Sequence, residues 1–284
     1  MNPKISIITV VYNDVKNIEK SIQNTLSQTY QPLEFIIVDG ASSDGTTEVI
    51  KKYDKYIKWV SEPDKGIYDA MNKGCRMATG EWVLFHNCGD FFLSKESIKN
   101  FFEEYLEDKG EQFLIGMTRN LKEKLYKDIK PSILTNHYFE GMPFCHPATF
   151  CRREWQVEHP FNIKYKNSAD YDFCIRSIKE GATFFYIEQP LVLFDCTEGT
   201  TVIHYDRTLR QNIEIMKNHN APQCIVDNLN SSLTHLMRVN KLKKCFPFMS
   251  YLIDLYHNHY SYKRAGWINI DSHALIDIIL ANDK

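Results

Sequence analysis

Residues Phe35-Ile36-Ile37-Val38 run straight into Asp39-Gly40-Ala41-Ser42-Ser43-Asp44-Gly45-Thr46, and this junction constrains the fold more than any other stretch. Four consecutive apolar residues, three of them β-branched, read as a strand buried on both faces. The strand stops at an acid and a Gly/Ser/Asp turn, and a helical pattern follows. Asp39 therefore stands at the carboxyl end of a strand, where open α/β sheets bind their ligands. An acid there can accept hydrogen bonds from a base or a ribose. The competing reading is a polar turn in which Ser43 or Asp44 caps the next helix. These residues alone leave the two readings even.

The segment before the junction supplies the other half of a unit. Ile5-Ser6-Ile7-Ile8-Thr9-Val10-Val11 reads as a first strand ending on Tyr12-Asn13-Asp14, and Ile18, Ile22 and Leu26 share one face of the helix after it. Strand, helix and strand make a βαβ unit with a right-handed crossover. Neither G-x-G-x-x-G nor G-x-x-x-x-G-K-[ST] occurs, which speaks against a Rossmann dehydrogenase and a P-loop ATPase. Ile67, Ala70, Met71, Gly74 and Met77 recur at helical spacing before a third short strand, Trp82-Val83-Leu84-Phe85. Ser94 is expected to cap a helix through Tyr105. Arg119, Lys122, Lys124, Lys127 and Lys130 lie among few apolar neighbours, so residues 118–135 are expected to form a solvated, mobile loop. Mixed strand and helix return over 136–205, and from Arg207 onward the pattern is mainly helical.

Composition narrows the function. The formal charge of −2 offers no global field for nucleic acid, so no nucleic-acid partner is expected. The 8 cysteines form no C-x-x-C pair, which weakens a structural zinc or redox dithiol. Scattered thiols without an export signal point to the cytoplasm. No apolar run approaches the ~20 residues that span a bilayer.

Four motifs occur in order: Ile5 to Tyr12, Asp39 to Thr46, Ser61-Glu62-Pro63-Asp64-Lys65-Gly66-Ile67-Tyr68-Asp69-Ala70-Met71-Asn72-Lys73-Gly74, and Ala78-Thr79-Gly80-Glu81-Trp82. Together they resemble a family 2 glycosyltransferase over roughly the first 205 residues. The resemblance implies an α/β chain of the GT-A nucleotide-diphospho-sugar transferase fold, a Rossmann-like mixed sheet flanked by helices. Residues 1–110 would form the nucleotide-sugar half, 111–205 the acceptor half and 206–284 a mainly helical C-terminal extension. It also implies inverting transfer of a sugar from a nucleotide diphosphate, here a UDP-sugar, to a saccharide or lipid-linked acceptor hydroxyl in surface polysaccharide or glycolipid synthesis.

The site follows by resemblance. Thr9, Tyr12, Asn13, Asp39, Ser42, Asp64, Asn72 and Gly89 would hold the donor. In Phe85-His86-Asn87-Cys88-Gly89-Asp90, Asp90 matches the last acid of the family's D-x-D, the ligand of a divalent Mn²⁺ or Mg²⁺. Cys88 stands where the first acid is usual. Mg²⁺ keeps several waters, so one carboxylate with diphosphate oxygens can still hold it. Asp170, in Ser168-Ala169-Asp170-Tyr171-Asp172, matches the catalytic base at a helix start; Ala169 replaces the usual Glu, and Asp172 is the alternative base. A plain N-cap is the structural reading of Asp170. Asp69 shares a helix face with Asn72, where both either meet ribose or phosphate or stay solvated. His146 reads as a structural histidine or a substrate contact, and His204 as a loop residue or a completing metal ligand. Phe194 to Thr201 is expected to act as a lid. In the tail, Lys241, Lys243 and Lys244 adjoin the aromatic stretch Phe246–Tyr256, which suits a membrane surface or packing on the domain or a second copy. The departures at Cys88 and Ala169 keep a degenerate nucleotide-sugar binder open. A nucleotidyltransferase is disfavoured because Val11-Tyr12-Asn13-Asp14 lacks its Gly-rich basic loop.

Overall fold

The computed structural model describes residues 2–122, 125–135, 138–195, 204–245 and 268–269. The first half alternates β1 (Ile5–Val11), α1 (Ile18–Leu26), β2 (Leu33–Asp39), α2 (Thr46–Lys51), β3 (Lys58–Ser61), α3 (Ile67–Met77) and β4 (Trp82–Phe85). There follow β5 (Phe91–Phe92), α4 (Ser97–Glu104), β6 (Phe113–Lys122), β7 (Leu125–Ile129), β8 (Thr149–Arg152), α5 (Arg153–Glu158), α6 (Ala169–Lys179) and β9 (Phe184–Asp195). The chain continues through α7 (Tyr205–Asn218), α8 (Gln223–Cys245) and β10 (Ile268–Asn269).

The strands form one mixed sheet in the order β10-β7-β6-β8-β4-β1-β2-β3, with β9 pairing β5 and β6. Strands β4, β1, β2 and β3 are parallel, and β8 joins β4 antiparallel. From β1 the chain moves outward to β2 and β3, then returns to place β4 on the other side of β1. That reversal opens a crevice at the strands' carboxyl ends. The register aligns Val11 with Asp39 and Asp39 with Ser61, so the turns after β1, β2 and β3 lie side by side.

The sequence of β1 explains its place at the centre. Ile5, Ile7 and Val11 pack on one face with Ile18 and Ile22 of α1, and Ile8 and Val10 pack on the other with Ala70, Met71 and Cys75 of α3. Burying each such aliphatic side chain contributes about 1.5–3 kcal/mol. Gly74 lets α3 lie close: a Cβ there would stand 3.3 Å from Val38 Cγ2 and overlap the Ile8 side chain. Helix α7 adds Ile213, Ile215 and Met216 to the same core, and α8 adds Val226.

Two expectations are corrected. Residues 118–122 and 125–129 are not a loop but pair antiparallel as β6 and β7, where Arg119 sits opposite Asp128 and donates to it at 2.7 and 2.9 Å. The buried Leu121 packs there with Phe91 and Leu193, partners too distant in sequence for a local count of charges to see. The helix expected from Ser94 begins at Ser97. The Ser94 hydroxyl accepts from the Glu96 N–H at 3.2 Å, making a turn before the helix rather than a cap on it. Among the described residues no helix is long and apolar enough to cross a membrane.

Candidate active site

The turn after β2 is built around Asp39, which is fully buried. Its Oδ1 accepts the Ser42 hydroxyl, and its Oδ2 accepts the Ser42 N–H at 2.9 Å and the Ser61 hydroxyl at 2.6 Å. Ala41 takes a left-handed φ of 64°, a conformation that costs an alanine energy and that the turn holds in place. Asn13 is also left-handed, at φ 51°, as asparagine tolerates. Its N–H donates to Ser42 Oγ at 2.7 Å and its Oδ1 accepts the Ser43 N–H at 2.9 Å, locking the β1 and β2 turns together. Asp44 accepts the N–H of Thr46, the first residue of α2, at 3.1 Å and that of Val15 at 3.0 Å, while the N-cap position itself is Gly45. Asp39 stands at the strand end with its carboxylate turned into its own turn, and Asp44 tethers the start of α2.

Asp64 comes from the turn after β3. Its Oδ1 accepts the Gly66 N–H at 2.7 Å, while its Oδ2 lies where a Cβ on Gly40 would approach to 2.6 Å. The same missing Cβ would stand 3.2 Å from the ring of Tyr12, which is 66% exposed. Hydrogen bonds thus tie Asn13 and Ser42 to the Asp39 turn, and Gly40, with no Cβ, lets Asp64 and Tyr12 close in on its backbone.

Thr9 and Asn72 do not join them. Thr9 is fully buried and its hydroxyl donates to the His86 carbonyl at 2.5 Å, tying β1 to β4. Asn72 is 8% exposed, and its amide exchanges two 2.9 Å hydrogen bonds with the main chain of Phe161. Both side chains are occupied in holding the walls of the crevice. Asp69 turns to the Lys65 N–H at 2.9 Å and to Lys73.

Beyond β4 the chain makes the Asn87–Asp90 turn. Asp90 is 5% exposed and its Oδ2 accepts the Asn87 N–H at 3.0 Å. Gly89 has a φ of 95° and donates its N–H to Ser21 Oγ at 3.0 Å; a Cβ there would meet nothing within 4 Å, so its glycine answers a backbone need. Cys88 faces Asp14, with Sγ 3.3 Å from Oδ2, and burial together with that carboxylate pushes its thiol far above the usual range. A protonated thiol is a poor ligand for a hard cation.

Asp170 is the second residue of α6. Its Oδ1 accepts the Tyr68 hydroxyl at 2.8 Å and the Tyr171 N–H at 2.9 Å. Its Oδ2 lies 3.5 Å from His146 Nδ1, and the other ring nitrogen of His146 is 3.1 Å from Asn87 Nδ2. Asp170 is not a side-chain N-cap: Ser168 precedes the helix, and the carboxylate leans away to Tyr68. Asp172 points elsewhere, pairing with Arg176 at 2.9 Å and His219 at 3.3 Å. Between the two acids lies Cys145; burial raises its thiol to about 11, with the Asp170 and Asp90 charges adding to the effect and Thr118 opposing it.

Tyr68, Asn87, Ser61 and Cys145 were not singled out from sequence. Tyr68 and Ser61 stand inside a quoted motif, and Asn87 lies three residues before Asp90. What marks them is a partner found only after folding, as in the 102-residue separation of Tyr68 and Asp170. His204 precedes α7 and accepts the Thr208 N–H through its carbonyl at 3.0 Å. Residues 196–201 of the expected lid and the Phe246–Tyr256 stretch lie outside the described residues, as do the side chains of Lys243 and Lys244; Lys241 is exposed on α8.

Among the described residues no three His, Cys, Asp or Glu side chains cluster as a metal cage. The donor set at the Asn87–Asp90 turn is one hard carboxylate. That fits a divalent ion which keeps waters and takes its other ligands from a diphosphate.

A mixed sheet whose parallel half ends in acid-bearing turns, faced by an acid on a helix of the antiparallel half, defines a GT-A sugar transferase. Comparisons agree. The Glycosyl transferase family 2 profile matches residues 6–157, and the chain belongs to that family of glycosyltransferases. An uncharacterized glycosyltransferase of Mycobacterium tuberculosis is 32% identical over 181 residues, 62% of this chain and 69% of that protein. The chondroitin synthase of Pasteurella multocida is 26% identical over 231 residues, 76% of this chain but only 22% of the synthase's length. In structure, a mannosyltransferase from Pyrobaculum calidifontis in complex with GDP-Man and Mn²⁺ superposes with a TM-score of 0.63 at 16% identity, covering 100% of this chain and 87% of that one. TarS 1–349 of S. aureus in complex with UDP-GlcNAc gives 0.60 at 17% identity, covering 81% and 71%.

Proposed function

We propose that this glycosyltransferase inverts the configuration of a sugar carried by a UDP donor, with Asp170 as the base that deprotonates an acceptor hydroxyl. The observation that carries the reading is the arrangement of Asp39, Asp64 and Asp90 along the crevice at the parallel strands' carboxyl ends, with Asp170 standing on α6 beyond the Asn87–Asp90 turn.

Tyr12 offers the base an exposed ring face, and Asp39 a carboxylate for the base edge. Asp39 is fully buried and three donors already hold it, so base recognition requires the turn after β2 to move and bare the carboxylate, whose Oδ1 accepts only the Ser42 hydroxyl. Asp90 would hold a divalent ion, which when bound would neutralise charge on the leaving diphosphate. Asp170 works from the opposite side. Oδ1 is occupied by Tyr68 and Tyr171, which leaves Oδ2 to take the acceptor's proton. The acceptor is a saccharide or lipid-linked hydroxyl, and the chain works in the cytoplasm. The UDP-GlcNAc complex of the structurally similar TarS and the similarity in sequence to a chondroitin synthase support these assignments.

A panel of UDP- and GDP-sugars with Mn²⁺, read by thermal shift and by release of free nucleoside diphosphate, tests the reading. A donor at one hundred times its dissociation constant adds about 2.7 kcal/mol of stability. Stabilisation by GDP-sugars alone would overturn the uridine assignment.

A further inference from the structure

We propose that His146 is a positioning residue for Asp170 and that Asn87 fixes its tautomer, an inference that rests on Asp170 being the base. His146 opens the short 3-10 turn at 146–148, between the two acids of the site. Its Nε2 lies 3.1 Å from Asn87 Nδ2. An amide NH₂ only donates, so with the amide so placed Nε2 accepts through its lone pair. The hydrogen of the neutral ring is then on Nδ1, which faces Asp170 Oδ2 at 3.5 Å. That distance is an electrostatic contact rather than a tight hydrogen bond. It steers the second oxygen without saturating it.

The consequence is a division of labour within one carboxylate. Oδ1 is fixed by Tyr68 and Tyr171, and Oδ2, aimed by His146, stays open to a substrate hydroxyl. The same chain of contacts reaches Asp90, because the Asn87 N–H donates to Asp90 Oδ2 at 3.0 Å. His146 and Asn87 therefore link Asp170 to Asp90 in one chain of contacts. Behind the pair is a cavity of about 20 Å³ lined in part by Phe85, Phe113, Phe144 and Phe173. Truncating His146 to Ala would enlarge that cavity as well as remove the contact, so informative variants keep volume.

Two readouts on the full chain test this. Long-range ¹H–¹⁵N spectra of ¹⁵N-histidine-labelled protein should find His146 neutral with its proton on Nδ1 at pH 8, and Asn87→Ala should shift it toward the Nε2–H form. A wild-type ring protonated on Nε2 overturns the inference. In turnover of the best donor of the nucleotide-sugar panel, with water as acceptor, His146→Phe should lose at least about tenfold in rate. The calorimetric Kd for UDP should stay within about twofold, since no donor contact is removed. His146→Asn places an amide donor near the Nδ1 position and should recover most of the loss. Full turnover by His146→Phe, or a UDP Kd weakened as much as the rate, contradicts a positioning role. Asp170→Asn run alongside separates the two failures: if it is inactive while His146→Phe is unimpaired, only the positioning inference falls; if it is active, the base reading falls.

Discussion

The Tyr68 hydroxyl, near the start of α3, donates a 2.8 Å hydrogen bond to Asp170 Oδ1 at the start of α6. One contact thereby joins α3 to the helix that carries the candidate base. Burial, reinforced by the Asp170 charge, pushes the Tyr68 phenol well above its usual range, so it remains a donor at every working pH. Tyr68→Phe should cost about 1.5–3 kcal/mol, the range for a hydrogen bond to a charged group. Urea unfolding measures this directly. A loss below about 0.5 kcal/mol would show that the contact contributes little.

Donor recognition is tested at Asp39. Asp39→Asn keeps the shape and one acceptor oxygen for Ser42, but removes the charge. UDP affinity should fall by about ten- to a hundredfold, the equivalent of one charged hydrogen bond. Calorimetry with UDP and Mn²⁺ reads it. Unchanged affinity would remove Asp39 from the base-binding surface.

Metal dependence is the third expectation. EDTA should abolish turnover, and Mn²⁺ or Mg²⁺ should restore it. Asp90→Asn should raise the metal concentration needed for half-maximal rate. Full activity in EDTA would mean that cationic side chains carry the diphosphate instead.

Acid sensitivity has a source far from the site. Burial pushes the Glu34 carboxyl up, but the Lys58 ammonium, the Ser6 hydroxyl, and the Thr79 N–H and hydroxyl bring it down to about 2. The folded value is below the unfolded one of 4.5, so the unfolded state binds more protons between them. The stabilisation is complete above about pH 4.5 and is lost as pH falls toward 2, by roughly 3 kcal/mol. Comparing Glu34→Gln with wild type by denaturant unfolding at pH 7 and pH 3 checks it. The variant should lose less stability on acidification, and parallel losses would contradict the assignment.

The parallel half of the fold is legible in the sequence because its signals are local. Each strand of β1, β2 and β4 is a short apolar run, and α3 shows its spacing within eleven residues. Asp39 and Asp90 stand on the turns after two of these strands, while β3, which precedes Asp64, is only partly buried and shows no apolar run. The β6–β7 hairpin was hidden because Arg119 is balanced by Asp128 across the strand and Leu121 is buried by Phe91 and Leu193. Thr9 and Asn72 lie in the right motifs, yet inward-facing hydrogen bonds to His86 and Phe161 occupy them, a matter of side-chain direction. The Tyr68–Asp170–His146–Asn87 contacts join four separate segments, so no window of sequence contains them.

The base assignment is the central claim, and turnover of Asp170→Asn against Asp172→Asn tests it most directly. Asp172 is held by Arg176 and His219, so its substitution should lower stability more than rate. Asp170→Asn keeps size but loses the proton acceptor, and general-base catalysis contributes about 10²–10⁴-fold. Its nucleoside-diphosphate release should fall by at least about a hundredfold with UDP binding and melting temperature nearly unchanged. An active Asp170→Asn enzyme beside an inactive, folded Asp172→Asn enzyme would contradict the account.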